Sequence, residues 1–165
     1  MCRVAHLWPA KIAIFRFTKD CLGMNAELEN AGSSAQATAP LRILVVDDNA
    51  DTATMLARLL GSWGHDAHAA FDAKQALELA RQFLPEMAIV DLSMPIMDGY
   101  QLANELRQLA TPQPIMLVAH TGPDILERRQ RAIEAGIGHY LVKPAGHDAL
   151  RDVIALAGRQ RKGTS

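Results

Sequence analysis

The sequence predicts an α/β fold: a doubly wound, five-stranded parallel sheet with helices on both faces. Two observations predict it. Short apolar runs and segments of helical period alternate five times in strict order, the pattern of strands joined by helical crossovers. The run "LRILVV" (Leu41–Val46) is apolar but for Arg42 and rich in β-branched residues, as a strand covered on both faces should be. Right-handed crossovers then leave few topologies to choose from.

The elements follow in order. After "LRILVV", the segment "DTATMLARLLGSWG" places Met55, Leu56, Leu59 and Leu60 at helical spacing and closes near Gly61 and Gly64. "HDAHAAF" is a weak strand. "DAKQALELARQFL" is a helix with Asp72 as its cap and Pro85 beyond its end. "MAIV" is the third strand and "DGYQLANELRQL" the third helix, capped by Asp98. "PIMLVAH" is the fourth strand, followed by the helix "DILERRQRAIEAG", which ends at Gly136. "HYLV" and "HDALRDVIALAGRQ" complete the set as the last strand and helix.

At 165 residues the chain holds one domain of ordinary size with some length left over. Its 49% hydrophobic content allows a sizeable core. A formal net charge of −1 argues against nucleic-acid binding by bulk electrostatics. Cys2 and Cys21 make no disulfide framework and no metal-type spacing, so a reduced, cytoplasmic setting is expected. No apolar run is long enough to span a membrane, and "HLWPAKIAIFRF" carries Lys11 and Arg16, which makes it a poor signal peptide.

Residues 1–39 read as an amino-terminal extension, with "NAELENAGSSAQATAP" as a flexible lead-in; residues 40–160 form the domain and 161–165 a short tail. Met24 opens that lead-in and has the look of a true start. The rival reading makes the first residues a partner-binding or surface-associating segment, since Trp8, Ile12, Ile14, Phe15 and Phe17 are costly to expose.

In doubly wound sheets ligands bind beyond the carboxyl ends of the strands, so the residues ending each strand belong together. They are Asp47 and Asp48 after the first, Asp91 after the third, Thr121 after the fourth, and Lys143 with Pro144 after the fifth. Three carboxylates gathered on one rim repel one another and call for a cation; oxygen ligands suit Mg2+ or Mn2+ better than zinc. A carboxylate is also a nucleophile toward phosphorus, and a metal, a lysine and a hydroxyl can stabilise the phosphoryl oxygens. Each residue has a plainer role on its own: Asp47, Asp48 and Asn49 as helix caps, Thr121-Gly122 and Lys143-Pro144 as turns. Coincidence at four of the five strand ends favours a site.

The motifs "ILVVDDNAD", "IVDLSMPIMDGYQL", "VAHTG" and "HYLVKP" resemble those of the receiver domain of bacterial response regulators, over about residues 40 to 160. The resemblance implies a flavodoxin-like sheet of strand order 2-1-3-4-5. It implies that Asp91 is the phosphoacceptor and that Asp47, Asp48, Asp91 and the backbone carbonyl of Ser93 hold Mg2+ or Mn2+. Lys143 would pair with the phosphoryl group, Thr121 would hydrogen-bond to it, and Tyr140 would be the switch aromatic. Pro144 matches a position where the family commonly has a cis peptide bond. Met94, Pro95, Asp98 and Gly99 match as well, and read as structural: Pro95 and Gly99 shape the loop and Asp98 starts a helix.

Two residues depart from the family pattern. His120 stands where an apolar or small residue is usual, and is expected half-buried and packed beside Thr121. Pro123 occupies a position that varies in the family with phosphoryl lifetime. His65, His68, His139 and His147 share no ligand spacing and read as surface or edge residues.

The resemblance further implies a sensor histidine kinase or histidine phosphotransfer protein as partner, a downstream protein target, no nucleic-acid contact by the chain itself and no enzymatic turnover, with autodephosphorylation alone left open. A phosphorylation-dependent homodimer stays open. Since little follows the last helix, a stand-alone receiver is expected, acting by protein–protein contacts or as a phosphorelay intermediate. Other classes fit less well. An aspartyl-phosphate phosphatase or mutase usually has a second acid where this chain has Ser93, and "VDDNAD" lacks the glycines of a nucleotide-binding turn. A degenerate receiver serving only as a binding module is opposed by the complete acidic set.

Overall fold

Five short strands pair in parallel in the order β2-β1-β3-β4-β5. They are β1 (Arg42–Val46), β2 (Asp66–Ala70), β3 (Met87–Asp91), β4 (Met116–Thr121) and β5 (His139–Val142). The helices between and after them are α1 (Ala50–Ser62), α2 (Ala73–Phe83), α3 (Gly99–Gln108), α4 (Ile125–Glu134) and α5 (His147–Lys162). The structure is a computed structural model and describes residues 39–94, 98–109, 111–122 and 125–162. The expected extension through residue 38, the start at Met24, both cysteines, Pro95, Pro123 and residues 163–165 of the expected tail lie outside the described residues, while Arg161 and Lys162, expected in that tail, continue α5.

The strand order explains the texture of each strand. β3 lies between two neighbours and is buried along its whole length, whereas β2 lies at an edge, where Asp66 and His68 face solvent. On one face of the sheet, Ile43, Val45, Ile89 and Val118 pack with Leu56 and Leu60 of α1 and Leu150 and Ile154 of α5. On the other, Leu44, Val46, Val90 and Leu117 pack with Leu77 of α2, Leu102 and Leu106 of α3, and Ala132 of α4. Fully burying one such Leu or Ile contributes about 1.5–3 kcal/mol. Met55 shares the helical spacing of α1 but is 70% exposed, so Leu56, Leu60 and the small Ala53 and Ala57 form the inward stripe instead.

The helix starts follow side-chain capping. Asn49, Asp72 and Asp98 cap α1, α2 and α3 by accepting the backbone N–H of Thr52, Gln75 and Tyr100. At the far end of α4, Gly136 takes φ +79°, where a Cβ would also meet the Arg107 side chain. Leu84 ends α2 in the left-handed region at φ 51°, held by its N–H to the Ala80 carbonyl and by Arg42 Nε donating to its own carbonyl.

His65 is buried rather than a surface or edge residue. Its Nδ1 accepts the backbone N–H of Leu41 at 3.3 Å, so it anchors the entry of β1. Burial lowers its pKa below the ordinary 6.5, and burial acts the same way on His139. The folded chain therefore binds this proton more weakly than the unfolded chain. Stability from His65 is complete above pH 6.5 and is lost as pH falls below it, levelling off under the lowered folded pKa. Urea midpoints should accordingly fall between about pH 7.5 and pH 5, less steeply in His65→Gln. Equal slopes for both proteins would remove His65 from this account.

Candidate functional site

The carboxyl ends of β1 and β3 are neighbours in the sheet, with Val46 beside Val90 in register. The next residues, Asp47 and Asp91, therefore meet on the rim. Both are buried, at 1% and 4% exposure, while Asp48 is exposed. One oxygen from each of the three carboxylates lies within 4.8 Å of the other two. Asn49 takes the α1 cap position, so Asp47 and Asp48 are not spent as helix caps. Asp47 Oδ1 instead accepts the Asn49 N–H at 3.0 Å, and Asp91 Oδ1 accepts the Ser93 N–H at 2.9 Å. The remaining oxygen of each, Oδ2, is left for Lys143.

Lys143 arrives from β5. Its backbone N–H donates to the Thr121 carbonyl at 2.8 Å, which ties the end of β5 to the end of β4. Its Nζ donates to Asp47 Oδ2 and Asp91 Oδ2, each at 2.8 Å. Burial works against the ammonium, but hydrogen bonds to the two carboxylates, and their charge, outweigh it and hold the lysine pKa above its ordinary value. The Lys143–Pro144 peptide is cis, as the resemblance implies.

Gly99 has a tighter role than shaping a loop. As the first residue of α3 it lies against the end of β3, where a Cβ would come 2.3 Å from the Asp91 carbonyl oxygen and 2.7 Å from Leu92 Cα. Asp98, beside it, is tied to α4: Arg131 donates to its carboxylate and covers the Tyr100 ring at 4.6 Å.

Thr121 ends β4 and is buried. Side chains alternate along strands, so Thr121 shares a face with Ala119, whose register partner on β5 is Tyr140. Tyr140 is partly buried against the α2, α3 and α4 core, and its hydroxyl donates to the Ile137 carbonyl at 3.5 Å. The expected switch pair thus lies on one face, and the expected acidic set on the rim.

His120 departs from expectation. It is buried, at 5% exposure, and stands in register with Asp91. Its Nδ1 is 3.8 Å from Asp47 Oδ2. Burial lowers its pKa, Lys143 lowers it further, and Asp47 and Asp91 pull the other way. The sequence signal, one polar residue closing the run "PIMLVAH", does not reveal which neighbour it meets.

The sheet of order 2-1-3-4-5 thus carries three clustered carboxylates and a lysine on its carboxyl rim. The family model of the response regulator receiver domain matches residues 43–155, and the chain belongs to that family. It is a receiver domain of two-component signalling, and phosphoryl acceptance is general to the family. The sensor histidine kinase RcsC of Salmonella typhi is 34% identical over 159 residues, which is 95% of this chain but only 17% of the kinase's own length. An uncharacterized 14.6 kDa protein of Leptolyngbya boryana is 38% identical over 109 residues, covering 66% of this chain and 83% of that protein. The solved structure of the chemotaxis protein CheY4 of Vibrio cholerae matches at TM-score 0.65 and 25% identity, over 72% of this chain and 99% of that one. Among the described residues no helix is long and apolar enough to cross a membrane.

Proposed function

We propose that residues 40–160 form a cytoplasmic receiver that takes a phosphoryl group on Asp91 from a sensor histidine kinase or a histidine phosphotransfer protein. In that step the phosphohistidine N–P bond breaks with its electron pair left on nitrogen, and an Asp91 carboxylate oxygen forms the new O–P bond. The chain is itself the acceptor and turns over no separate substrate. The observation that supports this most is Lys143 Nζ bridging two buried carboxylates at 2.8 Å each, with Asp48 completing a three-oxygen cluster.

That donor set fits a hard divalent cation, since three clustered carboxylates facing one ammonium leave net negative charge. Asp47, Asp48, Asp91 and the Ser93 carbonyl would hold Mg2+ or Mn2+, which when bound supplies positive charge for the phosphoryl oxygens. Lys143, already on Asp91, would follow the oxygens of the phosphoryl group, and Thr121 would donate its hydroxyl to them. Movement of Thr121 on the face it shares with Tyr140 would let the ring turn inward. Hydrogen bonds to a charged group, of about 1.5–3 kcal/mol each, suffice to tip such an equilibrium. The altered surface would then select a downstream protein, or the phosphoryl group would pass onward in a relay.

Acetyl phosphate with Mg2+ should add one phosphoryl group to the wild type. Asp91→Asn, or chelation of the metal, should abolish the gain. Tyr140 ring resonances should shift with phosphorylation in the wild type and stay in place in Thr121→Ala. Label that persists in Asp91→Asn would refute the assignment.

A further inference from the structure

His120 is buried beside the carboxylate cluster, and the proposed function leaves it without a task. Its register with Asp91 puts it on the same face, one row beyond the apolar row Val45, Ile89 and Val118. An apolar side chain would continue that row. The chain instead buries an imidazole whose side chain is only 7% exposed and whose Nε2 has no hydrogen-bond partner among the described residues. A buried polar atom left unpaired is costly, so the imidazole should have a use that an apolar side chain lacks.

The surroundings of Asp47 supply that use. Its Oδ1 is held by the Asn49 N–H, and its Oδ2 by Lys143 Nζ at 2.8 Å. Positive charge entering the cluster, or a phosphoryl group on Asp91, would draw the Lys143 ammonium away from Asp47 Oδ2. Oδ2 then loses its donor, and His120 Nδ1 already stands 3.8 Å from it. A shift of about 1 Å would bring the two within hydrogen-bonding distance.

We infer that His120 is a positioning residue for the metal ligand Asp47, its Nδ1–H taking over Asp47 Oδ2 when Lys143 withdraws. Ligating carboxylates are commonly fixed by such outer donors, and losing one typically weakens metal binding about 10–100-fold. The inference rests on the metal reading proposed above, and the experiment separates the two.

Mg2+ affinity is measured by calorimetry, without phosphodonor, on the wild type, His120→Leu and His120→Asn. His120→Leu should bind Mg2+ about 10-fold more weakly, yet melt at or above the wild-type temperature, because it removes an unpaired buried nitrogen. His120→Asn, whose amide N–H can overlie Nδ1, should recover most of the affinity. In the wild type, the His120 imidazole nitrogen resonances should move as Mg2+ is added. Equal affinity in His120→Leu, no recovery in His120→Asn, or unmoved imidazole resonances beside normal Mg2+ binding would each overturn the inference. A wild type that binds no Mg2+ would overturn both it and the metal reading.

Discussion

Gly99→Ala should cost the domain about 3 kcal/mol or more and slow phosphoryl uptake by about 100-fold. The methyl group would sit 2.3 Å from the Asp91 carbonyl oxygen and 2.7 Å from Leu92 Cα. Both are backbone atoms, so no side chain can swing aside, and either α3 lifts off or the end of β3 bends. Bending moves Asp91 itself. Gly61→Ala is the control: a Cβ there meets nothing within 4 Å, and helix propensity favours it by up to about 1 kcal/mol. Urea titrations and phosphorylation time courses check both. A Gly99→Ala protein within about 0.5 kcal/mol of wild type, with normal uptake, would show that α3 does not fix Asp91 in this way.

Lys143→Met should destabilise the metal-free protein strongly and be largely rescued by Mg2+. The substitution leaves the buried Asp47 and Asp91 carboxylates facing each other with no cation between them. Breaking one partner from a buried ion pair costs about 3–5 kcal/mol, and since Lys143 keeps 31% of its side chain exposed, the lower end or slightly less applies. That corresponds to a fall of roughly 10 °C in melting temperature. Mg2+ would then supply the missing charge. It should also bind more tightly than to wild type, because no ammonium competes for Asp47 Oδ2. An equal loss with and without Mg2+ would mean that Lys143 does not share the carboxylates with the metal.

The sequence shows best what one strand or helix decides alone. β1 and β3 are central and covered on both faces, so their apolar runs are plain; β2, at an edge, keeps Asp66 and His68 and reads weakly. Asp72 and Asp98 are legible as caps because capping is local. Asp47, Asp91 and Lys143 are legible as a group because the shared polarity of parallel strands places their carboxyl ends on one rim. Whatever depends on pairing or close approach is hidden. His120 meets Asp47 only because β4 pairs with β3 in the register that sets His120 beside Asp91. Gly99 looks like a loop glycine until α3 is seated on the Asp91 carbonyl. His65 looks peripheral because its partner, the Leu41 N–H, is a backbone group 24 residues away. Met55 keeps the period of α1 yet faces outward, since the stripe is completed by alanines that carry little signal.

The central claim is that Asp91, and no other member of the acidic cluster, carries the phosphoryl group. Borohydride reduces an aspartyl phosphate to homoserine, so treatment of the phosphorylated protein followed by peptide mass spectrometry identifies the residue directly. The expected result is homoserine at position 91 alone, present with phosphodonor and Mg2+ and absent with chelator. Homoserine at position 47 or 48, or phosphate retained on Ser93 or His120 with Asp91 unchanged, would contradict it.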